Sequence, residues 1–104
     1  MLDETYHALA DPSRRKILRR LSQTPSLSVS ELARPLPIAL PTVMKHLDVL
    51  ANAGLIQRRK RGRTVTVTLS PAPIADAKAW LEEVEAFWSG RLSRLAKLVE
   101  REDL

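Results

Sequence analysis

The sequence predicts a mainly α-helical domain that carries one two-stranded β-hairpin, with its elements in the order α-α-α-α-β-β-α. Three observations support this prediction. Two short amphipathic segments meet at a proline-containing turn, a glycine follows the second of them, and a basic segment with strand-like alternation comes next. At 104 residues the chain has the length of a small domain, so we expect a single domain over residues 1–104.

The first two helices are predicted from apolar spacing and from a helix-start signal. The segment 2–10 has apolar residues on one helical face, namely Leu2, Tyr6 and Leu9. Asp11 and Pro12 then begin a second helix, because aspartate is a favoured N-cap and proline fits the first helical position. The inner face of this helix consists of Ile17, Leu18 and Leu21. Residues 23–26 are expected to form a loop.

The third and fourth helices form the predicted helix-turn-helix. The third covers about residues 30–34, capped by Ser28 or Ser30, and the prolines that follow prevent its extension. The fourth runs from about Pro41 to Ala53, with a core-facing stripe at Val43, Leu47 and Leu50. Gly54 suits the left-handed position that ends a helix.

A hairpin and a long last helix complete the chain. The strands are expected at residues 55–60 and 64–69, with the turn at Arg61-Gly62-Arg63. The last helix is expected over residues 74–101, which is longer than a small domain needs for its own core. It carries Trp80, Trp88 and the only phenylalanine, which are candidates for a subunit interface or for packing within one chain.

Charge is distributed unevenly along a chain whose net charge is +5. Residues 13–69 hold 12 Lys and Arg against Glu31 and Asp48 alone, whereas the remaining residues hold 5 Lys and Arg against 10 Asp and Glu. A basic segment next to acidic ends suits a polyanionic partner. Because the excess of cations coincides with the helix-turn-helix and the hairpin, double-stranded DNA is the expected partner.

Composition excludes several other classes of function. The chain has no cysteine, which rules out disulfides, thiolate metal ligands and cysteine nucleophiles. Two histidines and no glycine-rich phosphate loop give little basis for catalysis, so we expect neither an enzyme nor a cofactor. No apolar run approaches the ~20 residues that span a bilayer, and the N-terminal segment lacks the pattern of a signal peptide. We therefore expect a soluble cytoplasmic protein that associates with the nucleoid by binding DNA.

The order of helices followed by a basic hairpin is that of a winged helix-turn-helix, whose second helix enters the major groove. The residues expected to face DNA from that helix are Pro41, Thr42, Lys45 and His46. His46 has two interpretations, a donor to phosphate or a partly buried, satisfied histidine. The hairpin adds Arg58, Arg61 and Arg63, of which the last two flank the turn and are the best candidates for phosphate or minor-groove contacts.

Four segments resemble the ArsR (arsenic-repressor) family of winged helix-turn-helix regulators: ALADPSRRKILRRL, VSELARPL, LPTVMKHLDVLANAGLI and RRKRGRTVTVTLSP. The resemblance covers about residues 8–99. It implies a homodimeric repressor that binds an inverted repeat, with the first and last helices of each chain at the dimer interface. The interface residues expected on this basis are Leu2, Tyr6, Leu81, Val84, Phe87, Trp88, Leu92 and Leu95.

The chain departs from the metal-sensing members of the family. Many of them bind metal through cysteines of the third helix or through Asp, His and Glu of the last helix, whereas this chain has no cysteine and no histidine after His46. We therefore expect no metal sensing at those sites, and any effector is expected to be a small apolar ligand or a protein. Ala39 and Met44, where the family often has small hydroxyl residues, favour the alternative of a protein-interaction module that does not bind DNA.

Overall fold

The computed structural model describes residues 2–102, with side chains described for residues 2–100. The elements follow in the order α-α-β-α-α-β-β-α. They are α1 (Leu2–Leu9), α2 (Pro12–Gln23), β1 (Ser26–Ser28), α3 (Val29–Ala33), α4 (Leu40–Asn52), β2 (Ile56–Arg61), β3 (Thr64–Leu69) and α5 (Ala72–Glu102). The prediction of a mainly α-helical winged helix-turn-helix is confirmed, and the five predicted helices are all present close to their expected bounds.

The sheet contains a third strand that the sequence analysis did not predict. Its strand order is β1-β3-β2, and β1 pairs antiparallel with β3 through Ser26–Thr68, Leu27–Val67 and Ser28–Thr66. Ser26, the first residue of β1, was expected to belong to the loop at residues 23–26. The strand has only three residues, Ser-Leu-Ser, which are too few for a repeated alternation to be recognised in the sequence, and its backbone pairing with β3 is what defines it.

Side-chain caps fix where α2 and α3 begin. Asp11 is the N-cap of α2, and its Oδ1 accepts hydrogen bonds from the backbone N–H of Ser13 (2.8 Å) and Arg14 (3.2 Å). Ser28 and Glu31 form a reciprocal capping box at α3, in which the Glu31 N–H donates to Ser28 Oγ and the Ser28 N–H donates to Glu31 Oε1. The hydrogen bonds from the Ser28 backbone and side chain hold the pKa of Glu31 below its ordinary value.

The hydrophobic core lies between the sheet and the helices α2, α3 and α4. Its largest fully buried side chains are Ile17, Leu21, Leu32, Val43, Leu47, Leu50, Leu55 and Val67. The predicted inner faces of α2 and α4 are therefore confirmed. Gly54 has φ +75° and follows α4 in the left-handed conformation, as predicted for a helix C-terminus.

The first helix packs against α5 on a face centred differently from the expected one. The buried residues of α1 are Thr5 and Ala8, whereas the predicted Leu2, Tyr6 and Leu9 are only half-buried. Tyr6 marks the contact with α5, since its hydroxyl donates to the carbonyl of Ala77 (3.2 Å) and its ring meets Trp80 edge-to-face at 5.8 Å. Helix α1 also contacts α2 and α4.

Beyond this contact α5 projects from the rest of the molecule. The helix has 31 residues, and the described part of the chain extends over 73 × 26 × 22 Å. The described part of the chain has a radius of gyration of 19.6 Å, whereas a compact chain of this length has a radius of about 13 Å. Among the α5 side chains up to residue 100, only Ala77 is buried. No helix within residues 2–102 is both long and apolar enough to cross a membrane.

The capping box makes a prediction about stability. Replacing Ser28→Ala leaves the N-terminus of α3 without its side-chain acceptor, so we expect the free energy of unfolding to fall by about 1 kcal/mol. Urea denaturation followed by tryptophan fluorescence measures the change. Ser30→Ala is the matched control, because Ser30 lies exposed in the same helix and does not cap it. Equal effects of the two substitutions would contradict the capping role of Ser28.

Candidate nucleic-acid interface

The N-terminal turn of α4 is open to an anion. Ala39 is the N-cap and provides no side-chain hydrogen bond, Pro41 lies in the first turn, and that turn contains no acidic residue. The partial positive charge of a helix N-terminus is therefore not neutralised by the protein itself. Burial of the opposite stripe directs Pro41, Thr42 and Lys45 outward, and all three are exposed. These are three of the residues predicted to face DNA.

Met44 does not belong to this exposed set. It is half-buried and packs against the hydrophobic core, beside the stripe of α4 that is fully buried. In the sequence analysis Met44 was one of two residues that favoured a protein-interaction module over DNA binding. Because Met44 packs against the core, it has a structural role and favours neither DNA binding nor a protein-interaction module.

His46 lies in a polar contact between α4 and α2. Its Nδ1 is 3.2 Å from Arg14 Nη1, its Nε2 is 3.9 Å from Asp11 Oδ1, and its side chain is 14% exposed. A guanidinium only donates, so Nδ1 is the acceptor and the neutral ring carries its proton on Nε2. The surroundings of His46 are therefore those of a partly buried histidine with partners inside the protein, which was one of the two interpretations made from the sequence.

Arg14 connects this contact to the end of α1. Its Nε donates to the carbonyl of Ala8 (2.7 Å) and its Nη2 donates to the carbonyl of His7 (3.0 Å), while Nη1 reaches His46. The side chain therefore satisfies two carbonyls of the last turn of α1 and holds α4 at the same time. No sequence pattern indicated this role, because the partners of Arg14 lie in other elements.

Asp11 is close to both His46 and Arg14. Partial burial raises the pKa of the Asp11 carboxyl, but the hydrogen bonds from the Arg14 and Ser13 backbone outweigh that effect. The proximity of His46 and Arg14 lowers it further, so the pKa of Asp11 lies below its ordinary value. The carboxylate therefore stays charged at neutral pH and keeps its capping role.

We define the wing as β2, β3 and the turn between them. The turn has two residues, Gly62 and Arg63. Arg61 pairs with Thr64, and Gly62 has φ +60° while Arg63 has no positive φ, which is the pattern of a type II′ turn. Arg61 and Arg63 are exposed on either side of this glycine, as predicted. Neither side chain forms a hydrogen bond or ion pair with the part of the chain that the structure describes.

The register of the wing separates its cations between two faces. Arg58 lies opposite Val67 and Lys60 opposite Val65, on the face that turns towards the core. The other face, here called the outer face, carries Gln57, Arg59 and Arg61 on β2, opposite Thr68, Thr66 and Thr64 on β3. Arg59 was not among the residues assigned to a site from the sequence.

Arg58 is bound by an acid of α4. Its Nη1 lies 2.6 Å from Asp48 Oδ1, and the side chains are 30% and 58% exposed respectively. Asp48 is one of two acidic residues in the basic segment 13–69. The pair ties the wing to the fourth helix, and it neutralises one of the cations that the sequence analysis assigned to DNA.

A metal centre is not evident in the described residues. Between residues 2 and 102 no group of three or more His, Cys, Asp or Glu side chains is placed to hold a metal ion. The third helix, where family relatives can carry thiolates, contains serine and glutamate as its only polar residues, and the glutamate is engaged in the capping box.

Comparisons with known proteins agree on one family. Residues 9–59 match a family model described as a helix-turn-helix domain. The chain is 38% identical over 100 residues to the HTH-type transcriptional regulator Rv2034 of Mycobacterium tuberculosis, covering 96% of this chain and 90% of that protein. It is 35% identical over 88 residues to the arsenical resistance operon repressor of Escherichia coli, covering 79% of this chain and 74% of that protein.

Solved structures give the same result. The ArsR-like transcriptional regulator from Rhodococcus sp. RHA1 superposes with a TM-score of 0.83 at 31% identity, covering 95% of this chain and 90% of that one. The matched regions include both helices of the helix-turn-helix and nearly the whole chain. The function is accordingly DNA-binding transcriptional regulation and not catalysis. The chain belongs to the ArsR family of winged helix-turn-helix transcriptional regulators.

Proposed function

We propose that the protein is a homodimeric repressor that places α4 of each subunit in the major groove of an inverted-repeat operator. The observation that carries the proposal is the exposed, acid-free N-terminal turn of α4, with Thr42 and Lys45 directed outward beside a basic wing. The relative from E. coli is itself named a repressor. Acting on an operator would place the protein in the cytoplasm, at the nucleoid.

The proposed contacts divide by type. Thr42 offers a hydroxyl and a methyl group, and Lys45 offers a cation, so these two side chains read base edges near the helix N-terminus. Pro41 positions this turn. His46 was expected to face DNA, but because its side chain is 14% exposed between Arg14 and Asp11, its proposed role is to orient α4 against α2. Arg61 and Arg63 at the wing tip bind phosphates or the adjacent minor groove. Arg58 was also expected to contact DNA, but its charge is neutralised while it is paired with Asp48.

The proposed dimer rests on the exposed apolar residues of α5. One stripe of this helix, at i, i+3, i+4 and i+7 spacing, is here called the apolar stripe: Leu81, Val84, Trp88, Leu92 and Leu95. Four of the five are more than half exposed, and Phe87 adds to its edge. An exposed apolar surface that continues over several turns of a helix is typical of a protein interface. Tyr6 of α1 meets Trp80 near the start of the stripe, and we assign Leu2 of the same helix to the proposed interface with it.

The two-fold symmetry of the proposed dimer determines how far apart the two operator half-sites lie. Two recognition helices related by a dyad require half-sites separated by about one helical turn, roughly 34–36 Å, or by a multiple of it. Regulation by metal through the family's usual sites is not part of the proposal, because α3 has no thiolate and α5 has no histidine. A small apolar ligand or a protein bound at α5, where Trp80 and Trp88 lie, is the proposed kind of effector.

Base readout and phosphate contact make different predictions in a gel shift against the upstream region of the protein's own gene. Thr42→Ala with Lys45→Ala should reduce the preference for the operator over unrelated DNA by about tenfold or more, since each lost base contact costs about 1–3 kcal/mol. Arg61→Ala should weaken binding to all sequences alike. It should also reduce the slope of log K against log salt by about one for each subunit bound. Binding without sequence preference or salt dependence would contradict the proposal.

Lys97→Ala is the matched control for Arg61→Ala. It removes one positive charge from an exposed position of α5, far from α4 and from the wing. Its effect on both affinity and salt slope should be small. An Arg61→Ala protein that binds like the Lys97→Ala protein at every salt concentration would refute the assignment of the wing tip.

The apolar stripe predicts the assembly state. Leu92 is 61% exposed in one chain, so Leu92→Glu should leave the fold intact and convert a dimer to a monomer by placing charge in the buried interface. Sedimentation velocity measures the assembly, and circular dichroism checks the fold. Ala86→Glu introduces the same side chain on the opposite, exposed side of α5 and should stay dimeric. A wild-type monomer, or a dimeric Leu92→Glu variant, would contradict the proposed interface.

The Asp48–Arg58 pair predicts an unusual gain of affinity. Asp48→Asn removes a negative charge from the DNA-facing helix and frees the Arg58 guanidinium, so non-specific binding should tighten and the salt slope should steepen by about one per site. The ratio of operator to non-specific affinity should therefore fall. Asp76→Asn, the same change at an exposed position of α5, is the control. Weaker non-specific binding by Asp48→Asn would contradict this role of the pair.

A further inference from the structure

The outer face of the wing is a second cationic surface, and apart from Arg61 at the tip its residues have no part in the proposed operator contacts. The hairpin register places Arg59 opposite Thr66 and Gln57 opposite Thr68 on this face, and β1 adds Ser26 at its edge, opposite Thr68. With Arg61, these side chains line a concave groove of about 470 Å³. All of the residues that line the groove are polar or charged, which distinguishes it from the apolar surfaces of α5.

The groups that line this groove have no partners within the described residues. Arg59, Gln57, Thr66 and Thr68 form none of the side-chain hydrogen bonds or ion pairs found between residues 2 and 102. Arg58, the neighbour of Arg59 on the other face, is in contrast paired with Asp48. The sequence has no acidic residue from position 49 to position 75, so nothing on the wing itself competes for the outer-face guanidinium groups.

The chemistry of the groove suits phosphate. A guanidinium donates two parallel hydrogen bonds to phosphate oxygens. Hydroxyl and amide groups beside it supply further donors, and Thr66 and Thr68 are half-buried, which restricts them to the sheet surface. Arg59 and Arg61 are two residues apart on one extended strand, about 7 Å along its axis. Both can therefore engage neighbouring groups of one extended polyanion in a groove that is open to solvent.

The position of the groove decides which phosphates it can reach. The opposite face of the same strand is held to α4 by the Arg58–Asp48 pair, so the outer face turns away from the recognition helix. We propose that the outer face of the wing binds the phosphate backbone of duplex DNA flanking the half-site that α4 occupies. This inference rests on the proposed function, because it takes α4 and the wing tip to be docked on the operator.

The test compares two duplexes that contain the mapped operator, one trimmed to the half-sites and one with about 15 extra base pairs on each side. Fluorescence anisotropy gives the affinity of the intact dimer for each between 50 and 200 mM salt. The flanks should tighten wild-type binding at low salt. With two more phosphates neutralised per dimer, the advantage of the long duplex should fall roughly tenfold across that salt range.

Arg59→Gln isolates the outer face, since Arg61 also belongs to the wing tip. The variant should bind the trimmed duplex like wild type and lose most of the advantage of the long duplex. Thr66→Val, which keeps a β-branched residue in the strand, should reduce the same advantage in part. Lys60→Gln is the matched control, because it removes a neighbouring cation from the opposite face and should affect both duplexes equally.

The outcomes separate the two proposals. Absence of salt-sensitive, sequence-preferring binding to the trimmed duplex would refute the proposed function itself. Normal binding to the trimmed duplex with no gain from the flanks, or equal losses of Arg59→Gln on both duplexes, would overturn the outer-face assignment alone. Capture of a second, separately labelled duplex by the wild-type complex, lost in Arg59→Gln, would show that the groove takes another DNA molecule and would overturn the assignment to flanking DNA.

Discussion

The complete burial of one stripe of α4 is the constraint on which the rest of the interface depends. Val43, Leu47 and Leu50 are each 0% exposed, and removing such a side chain from water contributes about 1.5–3 kcal/mol. Three buried anchors over two turns fix the rotation of the helix about its axis. Thr42 and Lys45 consequently face solvent by exclusion, because every rotation that hides them exposes a leucine.

Two arginines of the basic segment hold this helix from opposite sides. Arg14 reaches it from α2 through His46, and Arg58 reaches it from β2 through Asp48. Both cations lie in the part of the chain whose charge suggested DNA, yet both make their observed contacts within the protein. The net charge of this segment therefore overstates the number of cations free to meet phosphate, and the unpaired arginines of the wing become the more important ones.

Sequence reasoning succeeded where one local period decides the outcome. The stripe of α4, the glycine that ends the helix and the hairpin turn at Gly62 each depend on residues a few positions apart. It failed where partners are distant in sequence: β1 exists through pairing with β3, and the surroundings of His46 come from a residue 32 positions earlier. A β-strand directs neighbouring side chains to opposite faces, but only the register with β3 assigns Arg59 to the outer one.

The same contacts tie the recognition helix to the elements proposed for assembly. Arg14 donates to the last carbonyls of α1, and Tyr6 of α1 donates to the carbonyl of Ala77 in α5. A displacement of α1 against its neighbours must therefore stretch hydrogen bonds at one end or the other, since each donor is already engaged at 2.7–3.2 Å. Because Arg14 also contacts His46, the side chains of Arg14 and Tyr6 join the first turns of α5 to the recognition helix by way of α1.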